Sequence, residues 1–155
     1  MPRIEEELQQ SKPYESDSER ALVNMYYTSL WINDQMKDFF KTFNTTPKQF
    51  NILRILNGSK GPMTTSLIKE RMIERGSDIT RIIDRMLKKG LLTRHINVQD
   101  RRLVEIQITT LGLGLLDQVD SSAVQPGVIM SALSLDECQR LNDLLDKLRE
   151  PSHIF

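Results

Sequence analysis

Two groups of side chains in this chain have types and spacings suited to gripping a polyanion. Ser77, Thr80, Arg81, Asp84, Arg85 and Lys88 lie three and four residues apart, the spacing that gathers side chains on one face of a helix. A guanidinium offers paired planar donors that match two acceptors on one guanine edge, an ammonium suits a backbone phosphate, and hydroxyls beside a helix N-terminus can reach either. The second group is Asp100, Arg101 and Arg102 in the stretch NVQDRRLVEI, between two strand-like runs. An arginine at the tip of a two-strand ribbon can enter a narrow minor groove, where the potential is most negative. Each group also has a plainer reading. The helix face would serve equally as a solvated surface with Arg81 and Arg85 set around Asp84. The tip would serve as a turn in which Asp100 caps the loop and pairs with an arginine, an exposed arrangement of little energetic weight.

The chain holds 155 residues, 39% hydrophobic and 27% charged, which suits one globular domain with a real core. Its 21 basic and 21 acidic residues cancel, and zero net charge by itself argues against a polyanionic partner. The distribution argues for one. Between Lys60 and Arg102 eleven basic residues stand against five acidic ones, a local +6. Positive charge concentrated on a neutral protein permits phosphate contact that depends on geometry, where a uniformly basic chain would bind polyanions indiscriminately.

Other chemistries find little support. Cys138 is the only cysteine, which excludes an internal disulfide or a multi-cysteine zinc site, and it reads as a buried structural thiol in a helical pattern. His95 falls on a strand and His153 near the C-terminus, with no metal-ligand spacing, so no metal or other cofactor is expected. There is no nucleophile and base pair and no phosphate loop, so no catalytic residue is assigned and no enzyme is expected. No apolar run is long enough to span a bilayer, and the N-terminal stretch lacks the apolar segment of a signal peptide. The expectation is a cytoplasmic protein with no membrane contact.

The elements that must position the two groups follow from periodicity. Residues 1–16 are polar and contain Pro2 and Pro13, a flexible lead-in. From Ser18 to about Thr42, Leu22, Met25, Tyr26, Ile32, Met36, Phe39 and Phe40 recur at helical spacing along one long amphipathic helix. Thr46 and Pro47 open the next helix as cap and first helical residue, and NGSKGP closes it. A short helix carrying Leu67, Ile68 and Met72 is separated by Gly76 from a second that starts at Ser77, buries Ile79, Ile83, Met86 and Leu87, and ends at Gly90. LLTRHI and RLVEIQIT form a hairpin in which Val104, Ile106 and Ile108 make one apolar side. Helix resumes near Thr110 despite Gly112 and Gly114, breaks at Pro126 and Gly127, and resumes behind a capping box of Ser134 and Glu137.

Two helices around a glycine turn, followed at once by a hairpin, make a winged helix-turn-helix arrangement. The stretch from Ser77 to Leu116 resembles the MarR family of winged-helix transcriptional regulators. The likeness lies in the T-R-x-x-D-R core of the second helix (Thr80, Arg81, Asp84, Arg85), the K-G-L-L run from Lys89 to Leu92, the D-R-R tip from Asp100 to Arg102, and the I-T-x-x-G step at Ile108, Thr109 and Gly112. The resemblance implies a mainly α fold with a small β-hairpin wing, in one domain over 17–155. Residues 46–109 would form the winged DNA-binding lobe, and helices in 17–43 and 110–150 would interlock two copies. It implies a homodimeric repressor on a pseudo-palindromic operator in double-stranded DNA. Ser77, Thr80, Arg81, Arg85, Lys88, Arg101 and Arg102 would contact DNA. Asp100 would brace the wing, and Asp84 would pair with Arg102. It implies a small phenolic or amphipathic ligand as well. Tyr26, Tyr27, Trp31, Met36 and Phe40 could line its pocket, although residues of these types at helical spacing serve more often as core. The rival reading is a winged-helix module for protein association without specific DNA binding.

Independently of the resemblance, the apolar stripes of the long helix and of Leu135, Leu141, Leu144, Leu145 and Leu148 exceed what one small lobe can cover, which favours a dimer.

Overall fold

The computed structural model describes residues 3–74, 78–97, 99–123 and 126–150. They fall into two compact units, the first ending at Ser121 and the second beginning at Ser122. The first unit holds helices α1 (Ile4–Glu7), α2 (Asp17–Lys41), α3 (Pro47–Asn57), α4 (Thr65–Arg71), α5 (Ile79–Lys88) and α6 (Thr110–Asp120), with strands β1 (Met63–Thr64), β2 (Leu92–Ile96) and β3 (Val104–Ile108). The second holds a 3-10 turn, Pro126–Met130, and α7 (Leu135–Leu148). The architecture is the expected one, mainly helical with a hairpin.

The helix ends are written in local chemistry. Ser16, Thr46, Thr64, Asp78, Thr109 and Ser134 each accept a backbone N–H from the first turn of the helix they precede, satisfying donors that a helix start leaves free. Helix α5 starts at Ile79 behind Asp78 as its cap, two residues later than the expected start; Ser77 and Gly76 lie outside the described residues. Gly90 ends α5 at φ +72. The Leu91 N–H donates to the Met86 carbonyl and the Gly90 N–H to the Leu87 carbonyl, both at 3.0 Å, a Schellman pair that turns the chain straight into β2. In α7 the expected capping box is present, and its hydrogen bonds from the Ser134 backbone and side chain hold the Glu137 carboxyl below the usual range.

The sheet is antiparallel with β3 in the middle, in the order β1-β3-β2. Strand β1 is too short to leave a period in the sequence; Met63 pairs with Ile106 and is buried against the same core. That core joins Ile52 and Leu53 of α3, Ile68 of α4, Ile79, Ile83 and Met86 of α5, Ile106 of β3 and Leu116 of α6. Helix α2 docks its C-terminal end on α3 through Phe40, buried and stacked on Phe50 with ring centres 4.6 Å apart.

Three expectations need revision. The lead-in contains α1, whose Ile4 is buried and whose Glu5 pairs with Arg20 of α2 at 2.6 Å. Cys138 is only partly buried within its own unit. Gly112 is no mere weak point in α6. A Cβ there would meet the Leu91 carbonyl at 2.5 Å and Ile108 at 2.8 Å, so glycine is what lets the helix close on the root of the hairpin, while Gly114 faces open space.

Gly112→Ala is therefore expected to lower unfolding stability by about 1–3 kcal/mol through overpacking against backbone. Gly114→Ala should raise it by about 0.5–1 kcal/mol through helix propensity. Denaturant titration of both variants checks the pair, and equal effects would mean that the close approach of α6 is misjudged.

Candidate nucleic-acid interface

Helix α5 buries Ile79, Ile82, Ile83 and Met86, and that choice turns Thr80, Arg81, Arg85 and Lys88 to solvent. Ile82 is the one buried position that the expected face missed. Arg81 stands outermost, its side chain 81% exposed, and its guanidinium rests on the Asp78 carboxylate at 2.9 Å. An exposed pair three residues apart is worth only about 0.2–1 kcal/mol, so a better acceptor can draw Arg81 away. The Arg85 Nε donates to the Arg81 carbonyl at 3.3 Å, which lays that side chain along the helix.

On one flank of α5, Lys41, Arg85, Lys88 and Lys89 line a cleft of about 430 Å³ together with Thr45, Thr46 and Gln49 at the start of α3. The two buried polar residues there satisfy each other, the Thr45 hydroxyl lying 3.2 Å from the Gln49 Oε1. The Lys89 ammonium donates to the Asn44 carbonyl at 2.7 Å. Lys41 and Lys89 thus widen the cationic face of α5 beyond the side chains assigned to DNA contact from the sequence. Their signal, a lysine at a helix end, is too common to stand out.

The other flank carries the hairpin. Leu92, Arg94 and Ile96 alternate onto one side of β2, with Thr93 and His95 on the other, where the His95 Nε2 and Thr93 Oγ1 are 2.9 Å apart. Arg94 reaches across to α5 and donates to the Asp84 Oδ1 at 2.8 Å. The partner of Asp84 is thus Arg94, and the expected pair with Arg102 is not formed. Asp100 does brace the tip, by accepting the Arg102 backbone N–H at 2.9 Å on its side chain and the Leu103 N–H at 3.0 Å on its carbonyl.

Asn97 does more at the tip than any residue singled out from the sequence. Its Oδ1 accepts the N–H groups of Gln99 and Asp100, both at 2.8 Å, and its Nδ2 donates to the Glu105 carboxylate at 2.7 Å. An asparagine opening a turn is the signal that could have found it. Among the described residues, neither the Arg101 nor the Arg102 guanidinium has an ion-pair partner.

The five aromatic and methionine positions weighed as a pocket do not share one role. Phe40 is core, Tyr27 and Met36 are half-buried, and Tyr26 and Trp31 are exposed. A hydrogen bond to Glu7 holds the Tyr27 hydroxyl above its ordinary pKa. A separate cleft of about 580 Å³ lies between Phe43, Asn44, Lys89 and Leu91 and the α6 residues Thr110, Leu111, Gly114, Leu115 and Gln118. Among the described residues, no group of three or more His, Cys, Asp and Glu could hold a metal ion, and no helix is long and apolar enough to cross a membrane.

Comparison with known proteins adds a frame. A sequence model of the MarR family matches residues 45–104, from the start of α3 to β3. The HTH-type transcriptional regulator MhqR of Bacillus subtilis is 29% identical over 118 residues, 76% of this chain and 81% of that protein. YkoM of the same organism, an uncharacterised HTH-type transcriptional regulator, is 30% identical over 108 residues, 69% of this chain and 70% of that protein. Among solved structures, a mutant of MarR from E. coli in complex with operator DNA superposes with a TM-score of 0.71 at 23% identity, covering 87% of this chain and all of that one. The organohalide-sensing regulator RdhR, bound to 2,4-dichlorophenol, superposes with a TM-score of 0.76 at 23% identity, covering 90% of this chain and 86% of that one.

Replacing Asn97 with alanine removes three hydrogen bonds from the tip while touching no core residue. Amide exchange at Gln99 and Asp100 should accelerate at least several-fold with global stability changed by less than about 1 kcal/mol. Unchanged exchange at both amides would show that Asp100 alone holds the turn.

Proposed function

Since the chain belongs to the MarR family of winged-helix transcriptional regulators, we propose that it acts as a homodimeric repressor on a pseudo-palindromic operator, with α5 in the major groove and the hairpin tip against the flanking minor groove. The observation that carries this reading is the cationic crest of α5, with Arg81, Arg85 and Lys88 exposed, tied through an ion pair to a ribbon whose two tip arginines have no acid partner among the described residues. Arg81 suits a guanine edge because its only tether is a weak exposed carboxylate. Thr80 and Lys88 suit phosphates or base edges beside it, and Ser77 is assigned to the same contact from its place in the sequence. The E. coli relative solved in complex with operator DNA supports duplex DNA as the target of this fold.

The dimer rests on uncovered apolar surface. Leu22, Tyr26, Leu30 and Trp31 of α2 are each close to half exposed or more, and Leu135, Leu144 and Leu148 of α7 are all more than half exposed. These stripes are left largely uncovered among the described residues, and the reading assigns both to contact with a second copy. Two-fold symmetry then places two α5 helices on two half-sites.

A phenolic or other amphipathic ligand would act by binding better to a dimer whose α5 helices are wrongly spaced, since only differential affinity can shift the equilibrium. Its class follows from the dichlorophenol held by the RdhR regulator. Tyr26 and Trp31 could line a crevice for it only once a second copy closes over α2; Tyr27 and Met36 already stand half-covered, and Phe40 remains core.

Two measurements test the reading. Selection from random duplex DNA should return a two-fold consensus. On that duplex Arg81→Ala should cost about 1–3 kcal/mol and relax the preference at one position, while Arg101→Ala should weaken binding with less loss of discrimination. Recovery of no consensus would return the chain to a protein-association module. In sedimentation, the chain should run at twice its 18.0 kDa, and Trp31→Glu with Leu144→Glu should shift it toward monomer. A stable wild-type monomer at micromolar concentration would remove the symmetric part of the proposal.

A further inference from the structure

We infer that Arg94 is the residue that sets the angle of the hairpin against α5, and that this frees Arg102 to stand beside Arg101 as a second DNA-contacting cation. The inference rests on the DNA-binding reading above for the role of the tip, though not for the brace.

The ribbon is held unevenly. Its root is buried, Leu92 at 2% and Ile106 at 0% exposure, but two residue pairs beyond Ile106 the pair Ile96 and Val104 are 65% and 42% exposed. A two-strand ribbon with no packed face is marginal in water, so beyond the root its direction is open unless something ties it down. Arg94 stands opposite Ile106 in register, on the core-facing side of β2, at the last level where the ribbon still lies alongside α5. Its Nη2 donates to the Asp84 Oδ1 at 2.8 Å, the one ion pair from ribbon to helix among the described residues. Asp84 is well placed for it, on the flank of α5 between the buried face and the crest of Arg81 and Lys88.

Arg102 cannot do this work from its position. It lies in the turn, before β3 begins at Val104, on the order of 10 Å from the Arg94 level at the rise of an extended strand. The turn that carries it is closed locally by Asn97 and Asp100, which bind backbone groups and leave both tip guanidinium groups without an acid. With Asp84 occupied by Arg94, no carboxylate among the described residues competes with phosphate for Arg102. The tip is then a two-cation contact whose angle this half-exposed pair biases, and Arg94 is a positioning residue whose own charge is already compensated.

The test uses the full chain as wild type, Arg94→Ala, Asp84→Ala, the reversed pair Asp84→Arg with Arg94→Asp, and Arg102→Ala. Amide exchange of β2 and β3 is read without DNA. Affinity for random-sequence duplex, and for the duplex the wild type selects from it, is read against salt. Arg94→Ala and Asp84→Ala should each speed exchange in the outer half of the ribbon, and the reversed pair should restore protection. Arg94→Ala should weaken binding to the selected duplex several-fold with the salt slope unchanged. Arg102→Ala should leave exchange unchanged and lower the slope by about one, the loss of a single phosphate contact. Faster exchange in Arg102→Ala with none in Arg94→Ala would overturn the brace, and an unchanged slope in Arg102→Ala would overturn the second contact. If the wild type binds no duplex in a salt-dependent way, the DNA-binding reading and the tip contact fall together, while the exchange data still decide the brace.

Discussion

Ile106 is the residue on which the DNA-facing geometry hangs. It is fully buried in the middle strand, paired with Met63 on one side and Arg94 on the other, in the core built by α3, α4, α5 and α6. A hairpin protruding from a small lobe has to be rooted in that lobe's hydrophobic core, because its own strands bury too little to hold a direction. One side chain deeper in the ribbon would shorten the reach of the tip, and one less would leave no root. The Schellman turn at Gly90 and the bare Cα of Gly112 serve the same joint from either end, the first by sending α5 directly into β2 and the second by letting α6 close beneath it.

Charge is arranged around that joint in a way that explains how a neutral chain can face a polyanion. Between Lys60 and Arg102 the acids are largely occupied. Asp78 caps α5 and holds Arg81, Asp84 holds Arg94, Glu74 pairs with Lys48 and Asp100 closes the turn. Only Glu70 of the five has no such partner among the described residues. Each carboxylate does its work at short range and in one direction, so its field is largely spent on a neighbour, while Arg85, Lys88, Arg101 and Arg102 keep theirs for solvent. Net charge therefore understates what the surface can attract, and the local imbalance in the sequence is the better guide.

The legible parts of the sequence were those governed by local rules. Thr46 with Pro47, and Ser134 with Glu137, mark helix starts because a cap needs only its own next three residues. The face of α5 was readable because Ile79, Ile83 and Met86 repeat at the helical period, and the missed Ile82 sits at the edge of that face, where a wide stripe and a narrow one look alike. The order of elements together with the Thr80 to Arg85 core then made the winged lobe readable. What stayed hidden depends on distances that no local rule sets. Strand β1 has two residues and no period. Helix α1 is held by Ile4 and by Glu5 with Arg20, contacts made across fifteen residues.

The partner of Asp84 is the instructive failure, because a residue-by-residue carry-over from relatives chose the wrong arginine. Three arginines follow Asp84 in the hairpin, and a motif match cannot rank them, since it carries chemistry without reach. Strand geometry can. Alternation from Leu92 puts Arg94 on the side of the ribbon that faces the core, register sets it level with Ile106, and Ile106 is where ribbon and helix are still in contact. Arg101 and Arg102 lie beyond the last strand pair, where the ribbon has left the lobe. The alternation of Leu92, Arg94 and Ile96 was visible from the start, and a charged residue on the apolar side of a strand asks for a partner within a side chain's length of the core. Applied to Arg94, that question leads to Asp84 without reference to any relative.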